Sequence, residues 1–196
     1  MARIADGDMT LSIRYAGYRL PEELIGYELL VTMDGRPLVN PDAIVWKPKP
    51  SSRLAWERLA PGALLCEGDP PCAFLSLFEQ ALATNRGQFC TFPGDDVEVA
   101  LYPDFVLPVE PMVGMRDWDA WKAREEARAA TPASADDVWE LHLTIGWPQF
   151  HHREPGGTLA FQMLIQRHDL EAFAAALRQE YATFSARFDV PGQEPA

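Results

Sequence analysis

From Trp139 the chain reads Trp-Glu-Leu-His-Leu-Thr-Ile, ending at Ile145, and from Leu159 it reads Leu-Ala-Phe-Gln-Met-Leu-Ile-Gln before Arg167-His168-Asp169-Leu170. In the first stretch Trp139, Leu141, Leu143 and Ile145 alternate with Glu140, His142 and Thr144. Successive side chains of a strand point to opposite faces, so strict alternation predicts a strand with one face in a core and the other toward solvent. Leu159, Phe161, Met163 and Ile165 repeat the pattern against Ala160, Gln162 and Gln166, with 147–157 as the connecting loop and Gly156-Gly157 as its turn. The period then changes. Leu170, Phe173, Ala174, Leu177, Tyr181 and Phe184 recur at spacings of three and four, which predicts an amphipathic helix capped by Asp169.

Working back from this hairpin and helix, Phe74, Leu75, Phe78, Ala81 and Leu82 predict a second helix, opened by Pro70-Pro71 and closed by Arg86-Gly87. Residues 88–92 and 97–102 read as strands joined by the turn-forming Pro93-Gly94-Asp95-Asp96. Near the amino terminus Leu11, Ile13 and Tyr15 alternate with Ser12 and Arg14, and Tyr27, Leu29, Val31 and Met33 alternate with Glu28, Leu30 and Thr32. Asp34-Gly35 follows as a type I′ hairpin signal, with Pro37 at an edge of the return strand. A short strand is expected at 44–46 and a helical turn within 54–59. Residues 103–116, with Pro103, Pro108 and Pro111, read as an extended surface run. Residues 117–130 read as a charged helix anchored by Trp118 and Trp121. No internal repeat is evident. Strand runs grouped around two main amphipathic helices, without βαβ alternation, predict an α+β domain with a mostly antiparallel sheet and a Pro-rich, charged insertion. One domain is expected over 1–196: a strand-rich part at 1–65, the helix, sheet and carboxyl-terminal helix at 66–190, and a tail at 191–196.

The chain has 196 residues, 29 acids, 17 bases and a formal net charge of -12. So acidic a chain is a poor direct ligand for nucleic acid, whose phosphates are held by clustered Lys and Arg. Residues 1–10 lack the apolar run of a signal peptide, and no segment is long and uncharged enough to span a bilayer, which predicts a soluble, cytoplasmic protein without membrane contact. Cys66, Cys72 and Cys90 then read as reduced thiols packed as small hydrophobes, although Cys66 and Cys72 are close enough in sequence to bridge under oxidising conditions.

No catalytic signature stands out. His142, His151 and His152 have no spacing that would bring two imidazoles to one side for a metal, and the three cysteines lack a C-x-x-C pair. No G-x-S-x-G elbow or Gly-rich phosphate loop is present. Asp95, Asp96, Glu98 and Asp104 lack the spacing of a calcium loop. No cofactor is expected. The placement of charge is more informative, because residues 66–140 hold 15 acids and 5 bases while the remainder is nearly balanced. Charge of one sign speeds capture of an oppositely charged partner, and scattered carboxylates also confer solubility. Trp118 and Trp121 beside Asp117 and Asp119 favour an interaction surface, since interfaces combine aromatic anchors with polar rims.

The order of elements from about residue 70 to 185 resembles that of small bacterial immunity-type proteins, which neutralise polymorphic or contact-delivered toxins. The stretches carrying the likeness are CAFLSLFEQALATN, GDDVEVALYPD, WELHLTIG and TLAFQMLI running into RHDLEAFAAALRQEY. The resemblance implies a non-enzymatic protein that occludes a toxin's cleft and supplies no catalytic residues. The expected partner is then a protein with a basic surface, met by Asp95, Asp96, Glu98, Asp117 and Asp119 as a charged rim with Trp118 and Trp121 as anchors. The alternative is a small-ligand protein or metal-dependent enzyme using His142, His151 and His152.

Overall fold

Alternating apolar residues place the strands where the sequence expects them, and two additional strands complete the sheets. The computed structural model describes residues 1–19, 24–39, 60–68, 73–92, 97–103, 123, 126–127, 130–145 and 159–188. Its elements are β1 (Ala2–Asp6), β2 (Met9–Arg19), β3 (Leu24–Met33), β4 (Arg36–Pro37), β5 (Leu64–Gly68), α1 (Ala73–Thr84), β6 (Gln88–Phe92), β7 (Val97–Pro103), β8 (Val138–Ile145), β9 (Leu159–Gln166) and α2 (Arg167–Phe188). The class is α+β and every strand pair is antiparallel. The strands form two sheets rather than one. The first has the order β1-β2-β3-β4 with β5 also on β3, and the second the order β6-β7-β8-β9.

Local chemistry explains the turns. Asp34 and Gly35 adopt φ of 51° and 71°, the left-handed pair a type I′ hairpin requires. Pro37 occupies a two-residue edge strand opposite Thr32, where a missing N–H costs no ladder bond. Helix α1 ends at Asn85, whose φ of 53° reverses the chain before the expected Arg86-Gly87. Helix α2 begins at Arg167, directly after β9, so Asp169 lies in its first turn rather than at its cap. The buried Arg167 guanidinium reaches back to α1, donating to the Leu82 carbonyl at 2.9 Å and to Asn85 Oδ1 at 3.2 Å. These bonds satisfy polar groups that the end of α1 leaves open. Residues 44–46, 54–59, the Gly156-Gly157 turn and most of 103–130 lie outside the described residues, although Glu126 and Ala127 are helical.

The two sheets are one pattern used twice. Each is a meander leading into a helix: β1, β2, β3, β5, then α1; and β6, β7, β8, β9, then α2. Glu28 on β3 lies opposite Arg14 and Leu65, and Glu140 on β8 lies opposite Tyr102 and Leu164. With those positions equated, Ala2–Asp6 falls on Gln88–Phe92 from end to end, and 9–15 falls on Val97–Pro103. The third strands then read Tyr-Glu-Leu-Leu-Val-Thr-Met from Tyr27 and Trp-Glu-Leu-His-Leu-Thr-Ile from Trp139. Counting forward equally from Leu65 and Leu164 sets Ala73-Phe74 on Ala172-Phe173, Gln80 on Gln179, and Ala83-Thr84 on Ala182-Thr183. Strand register and side-chain identity thus give the same correspondence by separate routes.

Packing follows the same rule. β1 lies beside β9 as β6 lies beside β5, and α2 packs on β1 as α1 packs on β6. Glu79 and Arg178 occupy equivalent helix positions and meet each other, Nη2 to Oε1 at 2.7 Å. Equivalent residues touch where an approximate two-fold axis passes, here between the helices. The two units bury their inner faces in one shared core, which includes Tyr27, Phe74, Phe78, Trp139 and Phe173. Asp6 joins the sheets at one seam, its Oδ2 accepting the Leu164 N–H at 2.9 Å.

Candidate functional site

Because Trp139, Leu141, Leu143 and Ile145 face the core, the intervening Glu140, His142 and Thr144 are carried to the outer face of the second sheet. The register adds Phe89 from β6, Glu98, Ala100 and Tyr102 from β7, and Gln162 and Leu164 from β9. Phe89 is 66% exposed, the most exposed large apolar side chain among the described residues, and Leu164 shares its face. Glu98 is exposed beside them, opposite Thr144.

At the centre lies Glu140, with 0% of its surface exposed. Its Oε1 accepts a hydrogen bond from the Gln162 side-chain amide and sits 2.9 Å from His142 Nε2, an ion-pair distance without hydrogen-bond alignment. Its Oε2 has no hydrogen-bond partner among the described residues. A carboxylate taken out of water and only half satisfied is costly, so such a group is informative wherever it persists. The Tyr102 ring meets the His142 ring edge to face at 5.6 Å. Burial, then the charges of Glu98 and Glu140, push the Tyr102 hydroxyl above the ordinary tyrosine range.

The equivalent position on the first sheet is completed differently. Glu28 is also buried, at 1% exposure, but its Oε2 lies 2.5 Å from Arg14 Nη2 and also accepts the Ala60 N–H at 3.3 Å. Arg14 stands where the second sheet has Tyr102. On the outer face of the first sheet Arg14 therefore answers Glu28, while that of the second carries Glu98 and Glu140 with no Lys or Arg among the described residues.

Of the residues expected to form the charged rim, Glu98 is placed on this face. Asp95, Asp96, Asp117, Trp118, Asp119 and Trp121 lie outside the described residues, as do His151 and His152. Other acids of the middle segment serve elsewhere: Glu79 pairs with Arg178, and Asp137 Oδ2 accepts the Ser134 N–H at 2.9 Å. Sequence reading singled out His142 but not Glu140, Gln162, Tyr102 or Phe89. The signal for Glu140 was a Glu set between two core residues in both Tyr-Glu-Leu and Trp-Glu-Leu.

Among the described residues no group of three His, Cys, Asp or Glu is arranged to hold a metal ion, and no helix is long and apolar enough to cross a membrane. Cys66 is buried in the core opposite Tyr27, and Cys90 packs against the core with its thiol pushed up by burial. Comparison with known protein families, with curated proteins and with solved structures finds no match in any of the three, so the chemistry of this face is read from the chain's own residues.

Proposed function

We propose that this chain is a non-enzymatic binding protein of the immunity type, which neutralises a toxin by covering a basic cleft with an acidic surface. The observation that carries the reading is the outer face of the second sheet: an exposed Phe89 beside Glu98, around the buried Glu140, without a neutralising Lys or Arg among the described residues. Water-exposed aromatics with acids around them suit capture of a basic protein, where the ring supplies contact area and the charge supplies rate. The net charge of -12 acts in the same direction over longer range.

The test is co-expression with the protein encoded by the adjacent reading frame. Rescue of growth from that protein's toxicity, with the two co-eluting on gel filtration, is the expected result. A stable chain that neither rescues nor co-elutes contradicts the reading. Replacing Phe89 by Ala and Glu98 by Lys together should weaken rescue while leaving the chain folded.

The contact between His142 and Glu140 favours a second reading, a small-ligand protein or metal-dependent enzyme with His142 at its centre. A carboxylate within reach of one ring nitrogen can, once aligned to accept its proton, orient an imidazole for proton transfer or ligation. Stoichiometric metal in the purified protein, or turnover lost when His142, His151 and His152 are replaced by Ala, would favour this reading over the first.

A further inference from the structure

The duplicated architecture supplies an internal comparison for Glu140. In each unit the third strand buries a glutamate on the outer face, and in each one carboxylate oxygen is engaged while the other, Glu28 Oε1 or Glu140 Oε2, has no hydrogen-bond partner among the described residues. The units differ in what neutralises the charge. Glu28 has the permanent cation of Arg14, whereas the equivalent position beside Glu140 is Tyr102, and the contacts to Glu140 among the described residues are an amide and an imidazole. The only other acid among the described residues of that face, Glu98, adds to the negative charge.

We propose that Glu140 is the receiving carboxylate for an arginine side chain of the partner protein, which takes over the second sheet the place that Arg14 holds over the first. This rests on the protein-binding reading and names the chemistry of its central contact. Access is through Gln162, an exposed side chain whose amide now donates to Glu140. The Gln162 amide brings no positive charge to the carboxylate, whereas a guanidinium brings a full charge and can engage both carboxylate oxygens together. An arriving arginine therefore displaces Gln162 and gives Oε2 its missing donor. Tyr102, opposite Glu140, and His142 beside it bring two aromatic rings to this face, the kind of surface on which a planar guanidinium stacks.

The probe is L-argininamide, titrated into the full-length labelled protein while the Gln162 side-chain amide and the His142 ring are followed by NMR, with glycinamide as a cation lacking the guanidinium. Saturable shifts centred on these two groups are expected with argininamide and not with glycinamide. Glu140→Gln should weaken binding about tenfold or more. Gln162→Ala, at an exposed position, should tighten it, and Tyr102→Arg should abolish it by supplying the guanidinium from within. Shifts that fail to saturate, that spread evenly over the acidic surface, or that are unchanged in Gln162→Ala overturn the proposal even if Glu140→Gln does not fold. If argininamide fails here while the chain still neutralises its toxin, the site is wrong and the protein-binding reading stands. Saturable binding by a chain that protects against no toxin keeps the site and overturns the immunity reading.

Discussion

At the scale of single residues, two positions join structure to measurable chemistry. Tyr102 holds its proton more tightly in the folded chain than in the unfolded one, first through burial and then through Glu98 and Glu140. The unfolded chain therefore ionises first as pH rises. The stability is fully present below the ordinary tyrosine range and is lost as pH climbs through it toward the raised folded value. Tyr102→Phe should flatten that part of the stability profile in urea titrations. Glu98→Gln should lower the Tyr102 pKa seen by NMR without returning it to normal, because burial remains. Gly62 is the second position. Its φ is 79°, and an added Cβ would come within 2.6 Å of Pro37 Cβ and 2.8 Å of the Val39 carbonyl oxygen. Gly62→Ala should cost about 2–3 kcal/mol, read from the urea midpoint at constant slope. The close approach is not legible locally, since the atoms that crowd Gly62 belong to Pro37 of β4 and to Val39, more than twenty residues earlier.

At the scale of elements, patterns with a strict period were legible and those without one were not. The alternation at Trp139 through Ile145 and at Leu159 through Ile165 gave β8 and β9, and Asp34-Gly35 gave the β3–β4 turn. β1 is missed because Ala2 and Ile4 are its only core residues, and two small alanines, buried Ala2 and exposed Ala5, with the charged Arg3 and Asp6 leave no legible alternation. β5 is missed because its five residues are too few to display a period, and it is defined by pairing with β3. The start of α2 lies upstream of Asp169 because Arg167 is held by the end of α1, a tertiary contact that outweighs a local capping preference. If the two units are equivalent, their helices should be comparably important. Phe74→Ala and Phe173→Ala remove buried rings at matching positions, and each should destabilise by about 3–5 kcal/mol in denaturant unfolding. The double variant should depart from simple additivity, because both rings belong to one core.

At the scale of the whole molecule, the two-fold relation was hidden from the sequence by its insertions. A stretch at 34–63 separates β3 from β5, and another at 104–137 separates β7 from β8, so the copies share no constant spacing. Only cross-strand register brings Glu28 and Glu140 into correspondence, and only then is the difference between Arg14 and Tyr102 visible. The acidic excess of residues 66–140 was legible as a count, but its disposition was not: Glu79 and Asp137 are engaged within the fold, and Glu98 and Glu140 share one sheet face. The direct test of the proposed binding is the association rate of the chain with the protein encoded by the adjacent reading frame, measured by stopped flow at increasing salt. The account requires a rate that falls steeply with salt, and a Glu98→Lys, Glu140→Gln double variant that associates more slowly with a shallower salt dependence. A rate indifferent to both salt and these substitutions would contradict it.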